Sequence, residues 1–219
     1  AIADCVKKNN ADVGFGFDGD GDRVIMVDHL GKIVDGDEIL YIIARDRRRQ
    51  NIDFGGVVGT TMSNLGLEVA LDALDVPFVR APVGDRCVMK EMLDRGWYLG
   101  GESSGHIICL DITTTGDGIV SALQALAAIV NCEQSLSDMC SKMQKLPQSL
   151  VNIKVGNAVD ISQSKIVQSA VSDVESKLGK SGRVLLRPSG TEPKIRIMGE
   201  SYNKNLILKC IKIIKKSIK

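Results

Sequence analysis

Residues 57–110 read VVGTTMSNLGLEVALDALDVPFVRAPVGDRCVMKEMLDRGWYLGGESSGHIICL, and the order of signals within them decides the fold. Val57-Val58 is a short apolar run of strand type. A helix opening at Ser63 follows, because Leu67, Ala70, Leu71 and Leu74 recur at i, i+3, i+4 and i+7. Phe78-Val79 reads as the next strand, 85–95 as the next helix, and 97–99 and 107–110 as two further strands. Strands alternating with helices cover both faces of a sheet, the pattern of an α/β domain with a mixed, largely parallel sheet.

On the N-terminal side, 13–17 reads as a buried strand that runs into a Gly/Asp-rich loop, and 24–27 as the strand returning from it. Asp35 and Glu38 have capping-box spacing, so a helix is expected from about 36, fading in the basic run 45–49. On the C-terminal side, Asp117 can cap a helix to about 130 whose apolar residues lie nearly all round, which predicts a buried helix. A helical connection, 132–149, contains Pro147 near its end. The pattern then changes: a strand at 150–155, a helix carried by Val167, Ala170, Val171, Val174 and Leu178, strands at 183–187 and 194–198, and a closing helix with Ile207, Cys210, Ile211, Ile214 and Ile218 inward. These elements make a small α+β C-terminal domain.

Of the 219 residues, 44% are hydrophobic and 25% charged, as in ordinary globular chains. Lys and Arg number 28 against 27 Asp and Glu, and a net charge of +1 offers no long-range field for nucleic acid or an anionic membrane. The six cysteines are scattered, without CxxC pairs or zinc-finger histidine spacing, so a reduced, cytoplasmic setting is expected. No stretch approaches the roughly 18 apolar residues of a membrane span. The start, AIADCVKKNN, is not a signal peptide and lacks an initiator Met, which points to a partial or processed chain.

Three loops carry chemistry. In Asp18-Gly19-Asp20-Gly21-Asp22-Arg23, three carboxylates in five residues repel one another unless a cation neutralises them, and the glycines let all three face one centre. The bland alternative is a solvated acidic turn. An EF-hand needs Gly sixth and Glu twelfth from Asp18, where Arg23 and His29 stand. Few oxygen ligands from one short loop suit Mg²⁺, and Arg23 beside it offers a fork for a phosphoryl group or, more plainly, an ion pair with an aspartate.

The second loop, Gly100-Gly101-Glu102-Ser103-Ser104-Gly105-His106, brings a carboxylate, a hydroxyl and an imidazole together, a set suited to sugar hydroxyls. It is also a plausible plain turn. Its GxSxG match to a nucleophile elbow fails, because a strand follows it and His106 is the last histidine. In the third, Arg187-Pro188-Ser189-Gly190-Thr191-Glu192-Pro193-Lys194-Ile195-Arg196, Ser189, Gly190 and Thr191 can aim amides and hydroxyls at an anion flanked by Arg187 and Arg196. A polar hairpin with cross-strand charge pairs is the structural alternative.

Taken together and in order, FDGDGDR (17–23), GGESSGH (100–106) and RPSGTEPKIR (187–196) resemble the α-D-phosphohexomutase superfamily, and MSNLGLE (62–68), VGDR (83–86) and SGTEP (189–193) are most similar to its phosphoglucosamine mutase branch. The resemblance implies that 1–35 is the end of a second domain bearing the metal loop, 36–147 a third, sugar-reading domain, and 148–219 a fourth, phosphate-binding domain. It implies Mg²⁺ on Asp18, Asp20 and Asp22, with Arg23 assisting catalysis. Glu102, Ser104 and His106 would bind the sugar, and Arg187, Ser189, Gly190, Thr191 and Arg196 its phosphate; Arg86 is a weaker candidate. The implied reaction interconverts glucosamine 6-phosphate and glucosamine 1-phosphate through a 1,6-bisphosphate, feeding UDP-N-acetylglucosamine and cell-wall precursors. Its nucleophile is a phosphoserine. No TASHNP-like motif occurs in the 219 residues, so the missing N-terminal domains are expected as a partner and the chain alone is expected to be inactive. A homodimer is compatible with the resemblance; nucleic acid and membrane are not expected partners. Phosphomannomutase or phosphoglucomutase activity, or sugar-phosphate binding without catalysis, are the alternatives.

Overall fold

A computed structural model describes residues 1–189 and 192–218, which form two compact units, Ala1–Lys145 and Leu146–Lys219. The first unit begins with helix α1 (Ile2–Asn9), which the sequence reading had not identified; it ends where Asn10 turns left-handed at φ 51°. Strands β1 (Val13–Phe17), β2 (Val24–Asp28) and β3 (Ile33–Val34) follow as an antiparallel sheet in the order β1-β2-β3, with β1 at an edge. Glycines at 14 and 16 let α1 lie on β1, since a Cβ at either would come within 2.5 Å of Val6 or Ile2. Phe17 pairs with Val24, so the acidic stretch 18–23 is a hairpin loop.

Helix α2 (Gly36–Arg49) starts in the capping box read from Asp35 and Glu38. Behind it lies a four-stranded sheet, β5-β4-β6-β7, made of β4 (Val57–Thr60), β5 (Phe78–Ala81), β6 (Leu99–Gly101) and β7 (Ile107–Cys109). β4 runs parallel to β5 and β6, and β7 antiparallel to β6, giving the mixed, largely parallel sheet. Alternation across the pleat divides the core. Val57, Leu99 and Ile107 face a cluster that includes α2, while Val58, Ala81 and Ile108 face Val88 and Met92 of α4 (Asp85–Arg95). Helices α3 (Leu65–Asp72), α5 (Gly118–Cys132) and α6 (Leu136–Cys140) complete the unit. α3 starts two residues later than expected because Asn64, not Ser63, caps it; the Ser63 hydroxyl instead accepts the Thr60 amide at 3.0 Å.

Two expectations fail: the connection 132–149 is helical only at its start and over Leu136–Cys140, with a strand already begun at Gln148, and the helix before it is not fully buried. α5 is not buried all round: Ile119, Leu123 and Val130 are 59%, 57% and 67% exposed, and the buried positions are the small ones, Gly118, Ser121, Ala122, Ala125 and Ala128. Small side chains permit close backbone approach, so this helix packs through its least bulky face.

In the second unit, β8 (Gln148–Lys154), β9 (Gly182–Pro188) and β10 (Lys194–Ser201) form an antiparallel sheet ordered β8-β10-β9. α7 (Ala158–Gln163) was not foreseen; α8 (Lys165–Leu178) and α9 (Lys204–Ser217) bury Val167, Val174, Leu178, Ile207, Ile211 and Ile214 with Ile195 and Ile197. Among the described residues, no helix is long and apolar enough to cross a membrane.

Candidate functional site

The β1–β2 hairpin holds the acidic loop open. Gly21 takes φ +74°, a left-handed conformation that Gly adopts without strain, and donates its amide to the Asp18 carbonyl at 3.3 Å. Carboxylate oxygens of Asp18, Asp20 and Asp22 all lie within 4.8 Å of one another. Partial desolvation raises the Asp18 carboxyl, but the hydrogen bond it accepts from the Arg23 amide and the nearby Arg23 guanidinium hold it below its ordinary value. Arg23 Nε stands 3.8 Å from both Asp18 Oδ2 and Asp22 Oδ1, with half its side chain in solvent. Asp22 Oδ1 is buried and has no hydrogen-bond partner. A hard, oxygen-only donor set with a buried carboxylate oxygen that accepts no hydrogen bond fits a divalent cation such as Mg²⁺.

The loop carrying Glu102 joins β6 to β7 and packs directly on this hairpin. Its turn is closed by Glu102 N–H to the His106 carbonyl at 2.9 Å and Gly105 N–H to the Glu102 carbonyl at 3.0 Å. Val24 N–H donates to the Gly105 carbonyl at 3.1 Å, Arg23 and His106 form an isolated bridge, and His106 Nδ1 lies 3.0 Å from Asp22 Oδ2. Ser104 is exposed and lines a cavity of ≈330 Å³ with Asp18 and Arg23. Glu102 Oε1 accepts the Gly84 amide at 3.0 Å, which ties the VGDR segment to the same loop; Arg86 is exposed nearby in sequence. His106 differs from Ser104: its side chain is buried and turned toward the acidic loop.

Several supporting residues escaped the sequence reading. Gly36, the first residue of α2, donates to the Ser103 carbonyl at 3.2 Å, and a Cβ there would lie 2.0 Å from the Glu102 carbonyl oxygen. At the start of α5, Gly118 donates to the Gly21 carbonyl at 2.9 Å, bringing the positive end of that helix to the acidic loop. Asp117, read as a cap, accepts from Ile119 and Val120 as expected. Gly116-Asp117-Gly118 was visible as a helix start. Its glycines are explained only by neighbours distant in sequence.

The second unit carries the remaining candidates. Arg187 and Arg196 are paired directly across β9 and β10. Like charges in that register destabilise a sheet unless an anion sits between or beside them. Arg196 Nη2 reaches Ser189 Oγ at 3.5 Å, and Arg196 Nε is buried without a hydrogen-bond partner. The Lys194 ammonium, hydrogen-bonded to Glu192 at 2.6 Å, holds the Glu192 carboxyl below its usual value. Gly190 and Thr191 lie outside the described residues.

Comparison with known proteins gives a consistent set of likenesses. The phosphoglucomutase/phosphomannomutase α/β/α domain III matches residues 35–146, and the C-terminal domain of the same family matches 150–216. A phosphoglucosamine mutase of Proteus mirabilis is 58% identical over 202 residues, 92% of this chain and 45% of the relative. One of Hahella chejuensis is 52% identical, over 99% of this chain and 50% of the relative. The chain thus spans about half the length of these curated relatives. Among solved structures, Aspergillus fumigatus N-acetylphosphoglucosamine mutase in complex with GlcNAc-6P and magnesium superposes with a TM-score of 0.80 at 20% identity, over 99% of this chain and 56% of that one. An N-acetylglucosamine-phosphate mutase in a product complex gives 0.77 at 22% identity, over 99% and 52%.

Proposed function

The chain belongs to the phosphoglucomutase/phosphomannomutase family, and from that premise we propose that it is the metal-, sugar- and phosphate-binding part of a phosphoglucosamine mutase, which interconverts glucosamine 6-phosphate and glucosamine 1-phosphate. Residues 1–35 are then the end of the second domain, 36–147 the third and 148–219 the fourth. The observation that carries the reading is the physical union of the acidic loop with the Glu102 loop, through Val24 to Gly105 and Asp22 to His106. A solvated turn has no reason to be built into a sugar-reading loop.

Asp18, Asp20 and Asp22 would hold Mg²⁺. Bound there, the ion supplies charge neutralisation for a phosphoryl group in transfer. Arg23 extends its guanidinium into the same cavity, where it can bind phosphoryl oxygens in a fork. Glu102, held by Gly84, and Ser104 orient sugar hydroxyls. In the fourth domain Arg187, Ser189, Gly190, Thr191 and Arg196 hold the phosphate that is not reacting. The opposed arginines support that assignment, because a dianion relieves their repulsion. Phosphoserine chemistry is assigned to the N-terminal domains of the enzyme.

The test is conversion of glucosamine 6-phosphate, followed by ³¹P NMR with Mg²⁺, by the chain joined to its upstream half. Turnover is expected from the joined protein and none from the 219 residues alone. Asp20→Asn should lower kcat by about 10²-fold or more, as loss of a preorganised charge does. Turnover by the chain alone, or full activity in Asp20→Asn, contradicts the reading.

A further inference from the structure

Asp22 is the one acid of the loop whose two oxygens are shown in opposite circumstances. Oδ2 lies 3.0 Å from His106 Nδ1, whereas Oδ1 is buried and accepts no hydrogen bond, with Arg23 Nε 3.8 Å away. An ionised carboxylate only accepts, so the imidazole proton on Nδ1 is donated to Oδ2. The far side of the ring is blocked. His106 is 5% exposed, and a Cβ on Gly116 would lie 2.2 Å from Nε2, 2.3 Å from Cε1 and 2.8 Å from Cδ2. Gly116 is itself fixed by its bridge to Ile108 of β7, and the adjoining start of α5 is fixed by Gly118 to the Gly21 carbonyl at 2.9 Å. The ring therefore has a wall behind it and a carboxylate in front.

We propose that His106, backed by Gly116, is a positioning residue for the cation site: its imidazole holds Asp22 Oδ2 so that Oδ1 is left for the ion, which the ring never touches. The inference rests on the metal reading above and gives His106 a role other than contact with the sugar. It also makes one residue serve two loops. The His106 carbonyl closes the Glu102 turn by accepting the Glu102 amide, and its ring fixes the acidic loop, so ion and sugar sites share a single support.

The experiment is calorimetric titration of the full 219-residue chain with Mg²⁺ and Mn²⁺, with thermal melting recorded on the same samples. His106→Leu keeps much of the bulk but removes the donor, and ion affinity should fall about 10- to 100-fold, the range for lost outer partners of metal ligands. His106→Asn carries an amide donor near the position of Nδ1 and should recover most of that loss. Gly116→Ala drives a methyl into the ring and should weaken ion binding like His106→Leu. Unchanged affinity in a folded His106→Leu chain overturns the inference alone, as does equal loss in the Leu and Asn variants, which would reduce His106 to packing. If His106→Leu does not fold, His106→Asn must still bind more tightly than Gly116→Ala. Failure of the unsubstituted chain to bind either ion overturns the metal reading and this inference with it.

Discussion

Asp37 lies in the first turn of α2 with 2% of its surface exposed, and accepts the Asn64 amide at 2.8 Å. Burial pushes its carboxyl up to about 7, against the opposing help of that amide and the Ser63 hydroxyl. The folded value lies above the unfolded one, so the unfolded chain gives up the proton first and stability falls as pH rises from about 4 to about 7, then levels. Between pH 5 and pH 8 the loss amounts to about 3 kcal/mol. Asp37→Asn should abolish this component, seen as a smaller difference between urea unfolding free energies at pH 5 and pH 8. Gly36→Ala should cost about 1–3 kcal/mol and, on the sugar-binding role proposed for the Glu102 loop, weaken hexose phosphate binding, because its methyl meets the Glu102 carbonyl. At this scale the acids at 18, 20 and 22 were legible, since mutual repulsion is written in their spacing. Gly36, Gly116 and Gly118 were not, since each is small for the sake of a residue remote in sequence.

Elements were legible where a local rule sufficed. The capping box at Asp35 and Glu38 located α2, and the stripe through Leu67, Ala70 and Leu71 located α3 to within two residues. α5 defeated the same method, because apolar content all round a helix does not say which face the backbone of a neighbour will approach. Its small face won. Ala125→Leu should therefore cost about 1–3 kcal/mol by overpacking, whereas Leu123→Gln, on the exposed side, should stay within about 0.5 kcal/mol, both read from urea midpoints. α1 has an amphipathic pattern too, but it lies on β1 at Gly14 and Gly16, which carry no hydrophobic signal of their own.

For the whole molecule, a net charge of +1 conceals a division. Residues 1–145 carry 14 Lys and Arg against 22 Asp and Glu, and residues 146–219 carry 14 against 5. The statement that the chain has no directing field holds for the sum and not for the C-terminal unit. Lys204, Lys209, Lys212, Lys215 and Lys216 are exposed along α9, a helix without an acidic residue. On the phosphate-binding role proposed above, affinity for a hexose phosphate should fall as salt rises from about 10 mM to about 300 mM, where the screening length shrinks several-fold. The triple change Lys209→Gln, Lys212→Gln, Lys216→Gln should flatten that dependence without altering the melting temperature, both measurable on the same preparation.

The position of β1 at the rim of its sheet has one further consequence. Its residues Val13, Gly14, Phe15, Gly16 and Phe17 are uncharged, and the strand is bounded by Asp12 on one side and Asp18 on the other. Such bracketing acids discourage strand-on-strand stacking between molecules. By that rule Asp18 should also serve as a gatekeeper against aggregation. Neutralising it should make concentrated solutions turn turbid, so that lost ion binding in such a variant has to be separated from lost colloidal stability by light scattering.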